Sequence, residues 1–179
     1  MKSKKIINSA SKDFKKIWKI YESSFPSDER RTLKQIKAIK NKSHTLTAIY
    51  DKNTLLGFIE TWEFNNFIFN EHFALEESLR DKGLGTKIMK EFLSKNNKNI
   101  VLEVQKPNVS KNAKRRINFY EKLNFKLNNY DYIQPPYDKD KKPVPLFLMT
   151  YPKKISKPEF IKIRNKLHTT VYGLKNPLI

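Results

Sequence analysis

Cysteine is absent from this chain of 179 residues, and glycine is scarce, with four residues. The lack of cysteine excludes disulfides, thiolate metal ligands and a cysteine nucleophile. The three histidines, His44, His72 and His168, are scattered along the sequence, so we expect no metal cluster. No apolar run approaches the roughly 20 residues of a membrane span, and the basic N-terminus lacks the apolar region of a secretory signal. We therefore expect a soluble, cytoplasmic protein without a membrane partner.

Acidic residues are also few, with 18 against 37 basic ones and a formal net charge of +19. Such a field attracts polyanions, among them nucleic acid and polyphosphate cofactors. The lysines are spread along the chain and do not form one block, and Lys12, Lys15, Lys16 and Lys19 share one helical face, as on an ordinary solvated helix. Aromatic residues do not interleave with basic ones in an RNA-binding signature. The net charge makes a basic nucleic-acid-binding module an alternative function, but the spread of the lysines and the lack of a signature do not favour it.

Hydrophobic periodicity predicts an α/β (α+β) fold, with 38% hydrophobic residues available for a core. The predicted strands are 4–8, 45–50, 54–64, 68–75, 100–104, 125–133 and 144–151. The predicted helices are 13–24, one that opens at Ser27-Asp28-Glu29, 84–95, 112–123, and one from Ser156 to Gly173. The second and third strands form a hairpin in this prediction, and three antiparallel strands precede a glycine-containing loop. Residues 1–152 are expected to form one domain, on which residues 153–179 pack as a helical extension.

That loop, Arg80-Asp81-Lys82-Gly83-Leu84-Gly85-Thr86, stands between a strand and a helix, an order typical of anion sites. The first amides of a helix lack partners and carry the positive end of its dipole. Glycine lets a phosphate approach the backbone closely, and Arg80 and Lys82 add charge. The Gly-Lys-Ser/Thr of a P-loop and the three-glycine dinucleotide pattern are both missing. The loop therefore suits a diphosphate, and the alternative is a tight turn before a surface helix.

Two segments together resemble the GCN5-related N-acetyltransferases (GNAT). Phe73-Ala74-Leu75 followed by Arg80-Asp81-Lys82-Gly83-Leu84-Gly85 is similar to the family's acetyl-CoA motif. The segment from Ala113 to Phe125, centred on Phe119-Tyr120-Glu121-Lys122-Leu123-Asn124-Phe125, is similar to its second signature. The resemblance covers roughly residues 4 to 151. It implies a mixed, splayed central sheet flanked by helices, which holds acetyl-CoA in a V between two strands.

The resemblance also implies a set of cofactor contacts. The pantetheine arm would pair with the backbone at Phe73, Ala74 and Leu75. The pyrophosphate would lie on the amides of Arg80, Asp81, Lys82, Gly83, Leu84, Gly85 and Thr86. Ala113 stands where the family often has an asparagine, and Asn112 is the candidate to replace that contact. Asn124 replaces the glycine of the family's Leu-Gly-Phe turn, and asparagine tolerates the left-handed conformation used there.

Acyl transfer to an amine needs a base for the amine, a donor for the oxyanion and an acid for the thiolate. Without cysteine, direct attack in a ternary complex is favoured over a covalent acyl-enzyme. Tyr120 matches the family's tyrosine and is the predicted acid, the alternative being a half-buried aromatic residue at a helix end. The amide of Leu75 is the matching oxyanion donor.

Glu71 is the predicted base. It lies four residues before Leu75, so strict alternation puts both on one face of the strand. A carboxylate among apolar neighbours is partly desolvated, which raises its pKa. The alternative is a strand-edge glutamate exposed to water, with Glu63 and Glu60 as further candidates for the base. By the same alternation His72 faces away from Glu71.

We therefore expect an acetyltransferase that moves the acetyl group of acetyl-CoA to a primary amine on a small molecule or a peptide, as a monomer or homodimer. Besides the nucleic-acid-binding module, a non-catalytic CoA-binding sensor of the same fold is the other alternative.

Overall fold

Alternating apolar residues in the first half of the chain form an antiparallel sheet. The computed structural model describes residues 1–178, which divide into a first unit, residues 1–98, and a second unit that starts at residue 99. The first unit contains four strands: β1 (Lys2–Lys5), β2 (His44–Asp51), β3 (Thr54–Glu63) and β4 (Phe67–Leu75). Each pairs antiparallel with the next. The predicted hairpin and the run of three antiparallel strands are thereby confirmed.

Three helices accompany this sheet: α1 (Lys12–Ser24), α2 (Leu33–Ala38) and α3 (Leu84–Ser94). The prediction of a helix that opens at Ser27 is wrong, because Ser27–Glu29 form a single 3₁₀ turn and α2 begins after Thr32. The hydroxyl of Thr32 accepts the amide of Gln35, whose side chain in turn accepts the amide of Thr32. This capping box satisfies two amides at the start of α2 that have no partner within the helix.

Two apolar clusters belong to this unit, one on the α1 side and one on the α3 side. The first includes Phe14, Ile17, Tyr21, Phe58 and Ala74. The second includes Ile49, Leu56, Ile59, Leu75 and Ile88. The neighbouring residues Ala74 and Leu75 thus point to opposite sides of β4, as strand alternation requires.

A β-bulge interrupts the pairing of β3 with β4. Glu60 lies opposite His72, but Thr61 lies opposite Asn70, so Glu71 is an extra residue on β4. An extra residue in one strand resets the alternation of side chains on either side of it.

The bulge overturns two predictions about β4. Leu75 packs with Ile88 on the α3 side, whereas the carboxylate of Glu71 meets Arg31 on the other side. Glu71 and Leu75 therefore do not share a face. His72 was expected to face away from Glu71, but ligand atoms of these two side chains lie within 4.8 Å of each other.

The second unit contains β5 (Asn99–Gln105), α4 (Lys111–Glu121), β6 (Lys126–Gln134), β7 (Val144–Tyr151) and α5 (Lys157–Thr170). β7 pairs antiparallel with both β5 and β6. Asn124, just after α4, adopts the predicted left-handed conformation with φ 68°. The predicted capping box of Ser156 and Glu159 opens α5. No helix within residues 1–178 is long and apolar enough to cross a membrane.

The C-terminal segment is fastened to β6 by a buried histidine of α5. His168 Nε2 lies 3.0 Å from the carbonyl oxygen of Ile133, and the amide of Leu178 donates to His168 Nδ1 at 3.1 Å. Because one ring nitrogen donates and the other accepts, this imidazole is neutral. The helix packs within the second unit, and the boundary at residue 152 stays a prediction.

Gly57→Ala tests how closely β3 approaches the end of β4. An added Cβ would lie 2.2 Å from the carbonyl oxygen of Ala74 and 2.9 Å from the Cα of Leu75, so one strand must shift. We expect a loss of about 1–3 kcal/mol in the free energy of unfolding in urea. Thr54→Ala, at an exposed position of the same strand, is the control and should cost under about 0.5 kcal/mol. Equal stability of the two variants would contradict the close approach.

Because His168 is buried as a neutral ring, we expect the free energy of unfolding to fall in mild acid. Burial lowers its pKa to about 4, from an ordinary value of 6.5. Between these values the unfolded chain takes up a proton that the folded chain refuses, so stability must fall as the pH drops from 6.5 to 4. His168→Gln should flatten this part of the stability profile, measured by urea unfolding at several pH values. Parallel profiles of wild type and variant would show that His168 does not cause the loss.

Candidate active site

A buried ion pair lies on the α1 side of β3 and β4. Arg31 Nη1 is 2.5 Å from Glu71 Oε1, and Trp62 Nε1 donates to Glu71 Oε2 at 2.6 Å. The guanidinium carbon lies 5.6 Å from the centre of the Trp62 ring, within cation–π range. The Glu71 side chain is fully buried, so the alternative of an exposed strand-edge glutamate is wrong. Both of its oxygens meet donors, however, where the sequence suggested an apolar environment.

Glu60 of β3 is the centre of a second set of contacts beside this pair. Its Oε1 is 2.7 Å from His44 Nε2, and its Oε2 is 2.8 Å from His72 Nδ1, with no part of the side chain exposed. Arg31 Nη1 lies 4.0 Å from Oε1. Burial by itself would raise the pKa of Glu60, but hydrogen bonds from the two histidines and the charges of His72 and Arg31 hold it far below its usual range. Glu60 is therefore ionised.

His72 is held from both sides of its ring. Nδ1 faces Glu60, and Nε2 lies 3.0 Å from the carbonyl oxygen of Glu29. Since an ionised carboxylate and a carbonyl can only accept, both ring nitrogens carry hydrogens and the ring is an imidazolium. Burial opposes this charge, but Glu60 outweighs it and raises the pKa of His72. The rings of Tyr21 and Phe25 cover the imidazole edge-on at 4.8 and 4.5 Å.

The ionised groups of this cluster carry no net charge. Two carboxylates, Glu60 and Glu71, meet one guanidinium and one imidazolium. His44 is the remaining member, and its ring lies 4.9 Å from that of Trp62. Two of the three histidines that are scattered in the sequence thus converge on one carboxylate.

Metal-type ligand atoms of Glu60, Glu71 and His72 lie within 4.8 Å of one another. Each of these atoms already faces Arg31, Trp62 or another member of the cluster. A metal ion would have to displace a guanidinium, so we interpret the cluster as an ion-pair network. The absence of a metal stays a prediction.

The glycine loop has the backbone shape of an anion site. Gly83 has φ 74° and directly precedes α3, and Asp81 also has a positive φ of 64°. The amide of Lys87 donates to Gly83 O at 3.2 Å, so the three amides of residues 84–86 belong to the unpaired first turn of α3. Gly83 is exposed, and a Cβ built on it would meet nothing within 4 Å. Open space therefore lies beside Gly83, directly before the unpaired first turn of α3.

Arg80 has a different position from the free cation that the sequence suggested. Its Nε donates to the carbonyl oxygen of Leu75 at 3.2 Å, and its Nη2 donates to Ser24 Oγ at 2.9 Å. The guanidinium therefore ties the end of β4 to the end of α1 while it remains partly exposed. Lys82 is exposed at the tip of the loop.

The strand before the loop carries the predicted pantetheine contacts. Phe73 is half-buried on the α3 side, Ala74 pairs with Phe58, and Leu75 pairs with Gly57. The last of the candidate bases, Glu63 at the end of β3, is exposed and forms an ion pair of 2.7 Å with Lys98.

Tyr120 and Asn112 lie on α4 in the second unit. Tyr120 is buried between the rings of Phe119 and Phe125, at centroid distances of 5.0 and 5.3 Å. Burial raises the pKa of its phenol, and the charge of Arg116 opposes this only partly. Asn112 is exposed in the first turn of the helix.

Comparison with protein families gives a match to the acetyltransferase (GNAT) family over residues 11–125. A solved structure from Bacteroides thetaiotaomicron, assigned to the same family, is 34% identical to this chain. The alignment covers 98% of this chain and 100% of that one, with a TM-score of 0.91. The chain belongs to the GNAT family. It is an acetyl-CoA-dependent acetyltransferase with the predicted mixed-sheet fold.

More distant GNAT structures share the fold. The ribosomal-protein-S18-alanine N-acetyltransferase of Escherichia coli is 15% identical, with 87% of this chain and 95% of that one covered and a TM-score of 0.61. A GNAT acetyltransferase of Elizabethkingia anophelis, solved with acetyl-CoA bound, is 13% identical, with 83% and 95% covered and a TM-score of 0.56. A search of curated proteins gives no significant match.

Sequence reasoning missed the partners of the two buried glutamates in this GNAT protein. Arg31 and His44 were not predicted to belong to any site. One signal was present for Glu60, because it stands between Phe58 and Trp62 at alternate positions of a strand and must share their buried face. A carboxylate on such a face demands donors, although the sequence does not say which ones.

Arg31→Met tests the buried pair. Removal of the guanidinium leaves the carboxylate of Glu71 buried without its cation, which should cost about 3–5 kcal/mol in the free energy of unfolding. In the double variant Arg31→Met/Glu71→Gln no charge is left unpaired, so much of the loss should be recovered. Urea unfolding of both variants measures the difference. A single variant within 1 kcal/mol of wild type, or a double variant no better than the single, would contradict a tight pair.

Proposed function

We propose that this GNAT protein transfers the acetyl group of acetyl-CoA to a primary amine by direct attack in a ternary complex. The absence of cysteine supports direct attack, because the chain has no thiol to carry the acetyl group. The proposal includes no metal ion.

The backbone at Gly83 is the observation that carries the cofactor part of the proposal. A left-handed glycine opens α3, and the amides that follow it belong to the unpaired first turn, where an anion can bind. In the proposed complex the pyrophosphate lies on the loop from Arg80 to Thr86. Arg80 ties the loop to α1, and Lys82 supplies an exposed charge.

The pantetheine arm would run along the backbone of Phe73, Ala74 and Leu75, with Asn112 as a further contact. The chain direction supports this path, since these three residues end the strand that leads to the loop. The amide of Leu75 is the proposed oxyanion donor.

Tyr120 is the proposed acid for the departing thiolate. An acid must keep its proton at the working pH, and the raised pKa of this buried phenol meets that requirement. Among residues 1–178 the structure gives Tyr120 Oη no hydrogen-bond partner, so the hydroxyl remains available to a sulfur atom.

Glu71 is the base that the sequence predicts, with Glu60 and Glu63 as the other candidates. Proton uptake by Glu71 would disturb its contact with Arg31 or with Trp62. Glu63 is exposed and paired with Lys98. The carboxylates of this cluster are therefore better placed to orient a base than to act as one.

The acceptor is an amine whose identity must be found by a panel. Suitable members are a peptide with an N-terminal alanine, a lysine-containing peptide, a polyamine and an aminoglycoside, because together they cover the α-amino, ε-amino and sugar-amino groups. Release of free thiol from acetyl-CoA reports turnover with every member and also with water alone.

Gly83→Glu should abolish binding of acetyl-CoA in calorimetric titration. The new side chain places a negative charge beside the amides that would hold the pyrophosphate, and it points into open space on a left-handed backbone that strains any side chain. Gly83→Gln is the matched control, since it carries the same left-handed backbone strain without the charge. It should bind acetyl-CoA within about 10-fold of wild type, which corresponds to about 1.4 kcal/mol.

Each result of this titration has a distinct meaning. If wild type does not bind acetyl-CoA, the proposed function is wrong, and nucleic acid becomes the favoured ligand of this positively charged protein. Binding without thiol release from any acceptor would favour the sensor. Equal affinity of the two Gly83 variants for acetyl-CoA would show that the pyrophosphate does not bind at this loop.

A further inference from the structure

We propose that His44, oriented by Glu60, accepts the proton that the acceptor amine loses, and that Glu60 and His72 are positioning residues for this step. The inference rests on the proposed function and names the base that the function requires.

The hydrogen bond to Glu60 decides the tautomer of His44. An ionised carboxylate can only accept, so Nε2 of His44, at 2.7 Å from Glu60 Oε1, must carry the hydrogen. In a neutral ring the lone pair is then on Nδ1. Glu60 thus fixes which nitrogen of His44 is basic and where it points, as a carboxylate does behind a catalytic histidine.

The basic nitrogen is open. Within residues 1–178, Nδ1 of His44 has no hydrogen-bond partner, and it is not among the buried polar atoms that lack one. The His44 side chain is 11% exposed, whereas those of Glu60 and Glu71 are completely buried. His44 is therefore the member of the network that a solvent-borne amine, or one bridging water, can reach.

The neighbouring charges suit a neutral base that becomes cationic. His44 of β2 faces Glu60 of β3, and beyond Glu60 lie His72 and Glu71 of β4 and Arg31 before α2. The four ionised groups of this set sum to zero, so a proton on His44 adds one positive charge to a neutral network. When His44 takes a proton, the adjacent carboxylate of Glu60 stabilises the new imidazolium.

The amine nitrogen attacks the carbonyl carbon of the thioester and forms the C–N bond, while its proton passes to Nδ1 of His44, directly or through one water. The C–S bond then breaks, and the thiolate takes the phenolic proton of Tyr120. His44 returns its proton to solvent, and Tyr120 regains one from solvent.

Nitrogen NMR of the histidines tests the geometry without a substrate. The chain has three histidines, so His44→Gln, His72→Gln and His168→Gln assign every ring. We expect the neutral ring of His44 to carry its hydrogen on Nε2, and His72 to carry hydrogens on both nitrogens. A hydrogen on Nδ1 of a neutral His44 would overturn the proposal.

Kinetics test the chemical step, with the best acceptor of the panel or with water alone. His44→Gln should lower kcat about 100-fold or more and remove the rise of kcat/KM with pH, while acetyl-CoA affinity stays within about 2-fold. Glu60→Gln should lower kcat, because His44 loses the carboxylate that orients its ring. His168→Gln, in the second unit, is the control and should keep both the rate and the pH profile.

The outcomes separate this inference from the proposed function. If wild type binds acetyl-CoA and turns over while His44→Gln keeps its rate, the function stands and His44 is not the base. If His44→Gln loses rate but keeps the rise with pH, its role is structural and the inference fails. If wild type neither binds nor turns over, the proposed function has failed, and the NMR result still decides the tautomer.

Discussion

The first unit depends on a carboxylate that has no access to water. Glu60 lies in the middle of β3, and a buried charge costs several kcal/mol unless donors surround it. Those donors come from β2 and β4, as His44 and His72, and the guanidinium of Arg31 lies nearby. Three separate stretches of the chain are thereby held in register by one side chain. Hydrophobic contacts alone would tolerate small slips between these elements, whereas hydrogen bonds to a buried charge do not.

The β-bulge at Glu71 makes this arrangement possible. In a regular strand Glu71 and His72 would point to opposite faces, and one of the two would leave the polar cluster. With one extra residue in β4, both reach the same side, and Ala74 and Leu75 still divide between the two apolar clusters. The irregularity therefore lets a polar site and a well-packed sheet coexist on a single strand. Bulges commonly re-aim side chains beside active sites in this way.

The sequence predicted the elements well because their signals are local. Alternation located the strands of the hairpin, Ser156 and Glu159 marked the start of α5, and Asn124 marked a left-handed turn. The glycine loop was predicted in the same way, from residues that are neighbours in the chain.

The network was not predicted, because its members meet over long separations. Arg31 pairs with a residue 40 positions away, and His44 with one 16 positions away. No periodic pattern records such a meeting. The bulge left no signature either, since Asn70-Glu71-His72 fits regular alternation as readily as a bulge. The start of α2 was misplaced because the acidic turn at Ser27 imitates the capping residues that Thr32 supplies.

The stability of the two units depends on pH through different titratable side chains. In the first unit the lowered pKa of Glu60 protects its contacts until the pH falls below 4.5, and the raised pKa of His72 favours the folded state below 6.5. In the second unit the lowered pKa of His168 costs stability as the pH falls from 6.5 to 4. Mild acid therefore loosens the C-terminal fastening while the ion-pair network keeps its strength. As the pH falls from 6.5 to 4.5, the stability that His72 contributes is retained while that of the neutral His168 ring is lost, and the balance of stability shifts from the second unit toward the first.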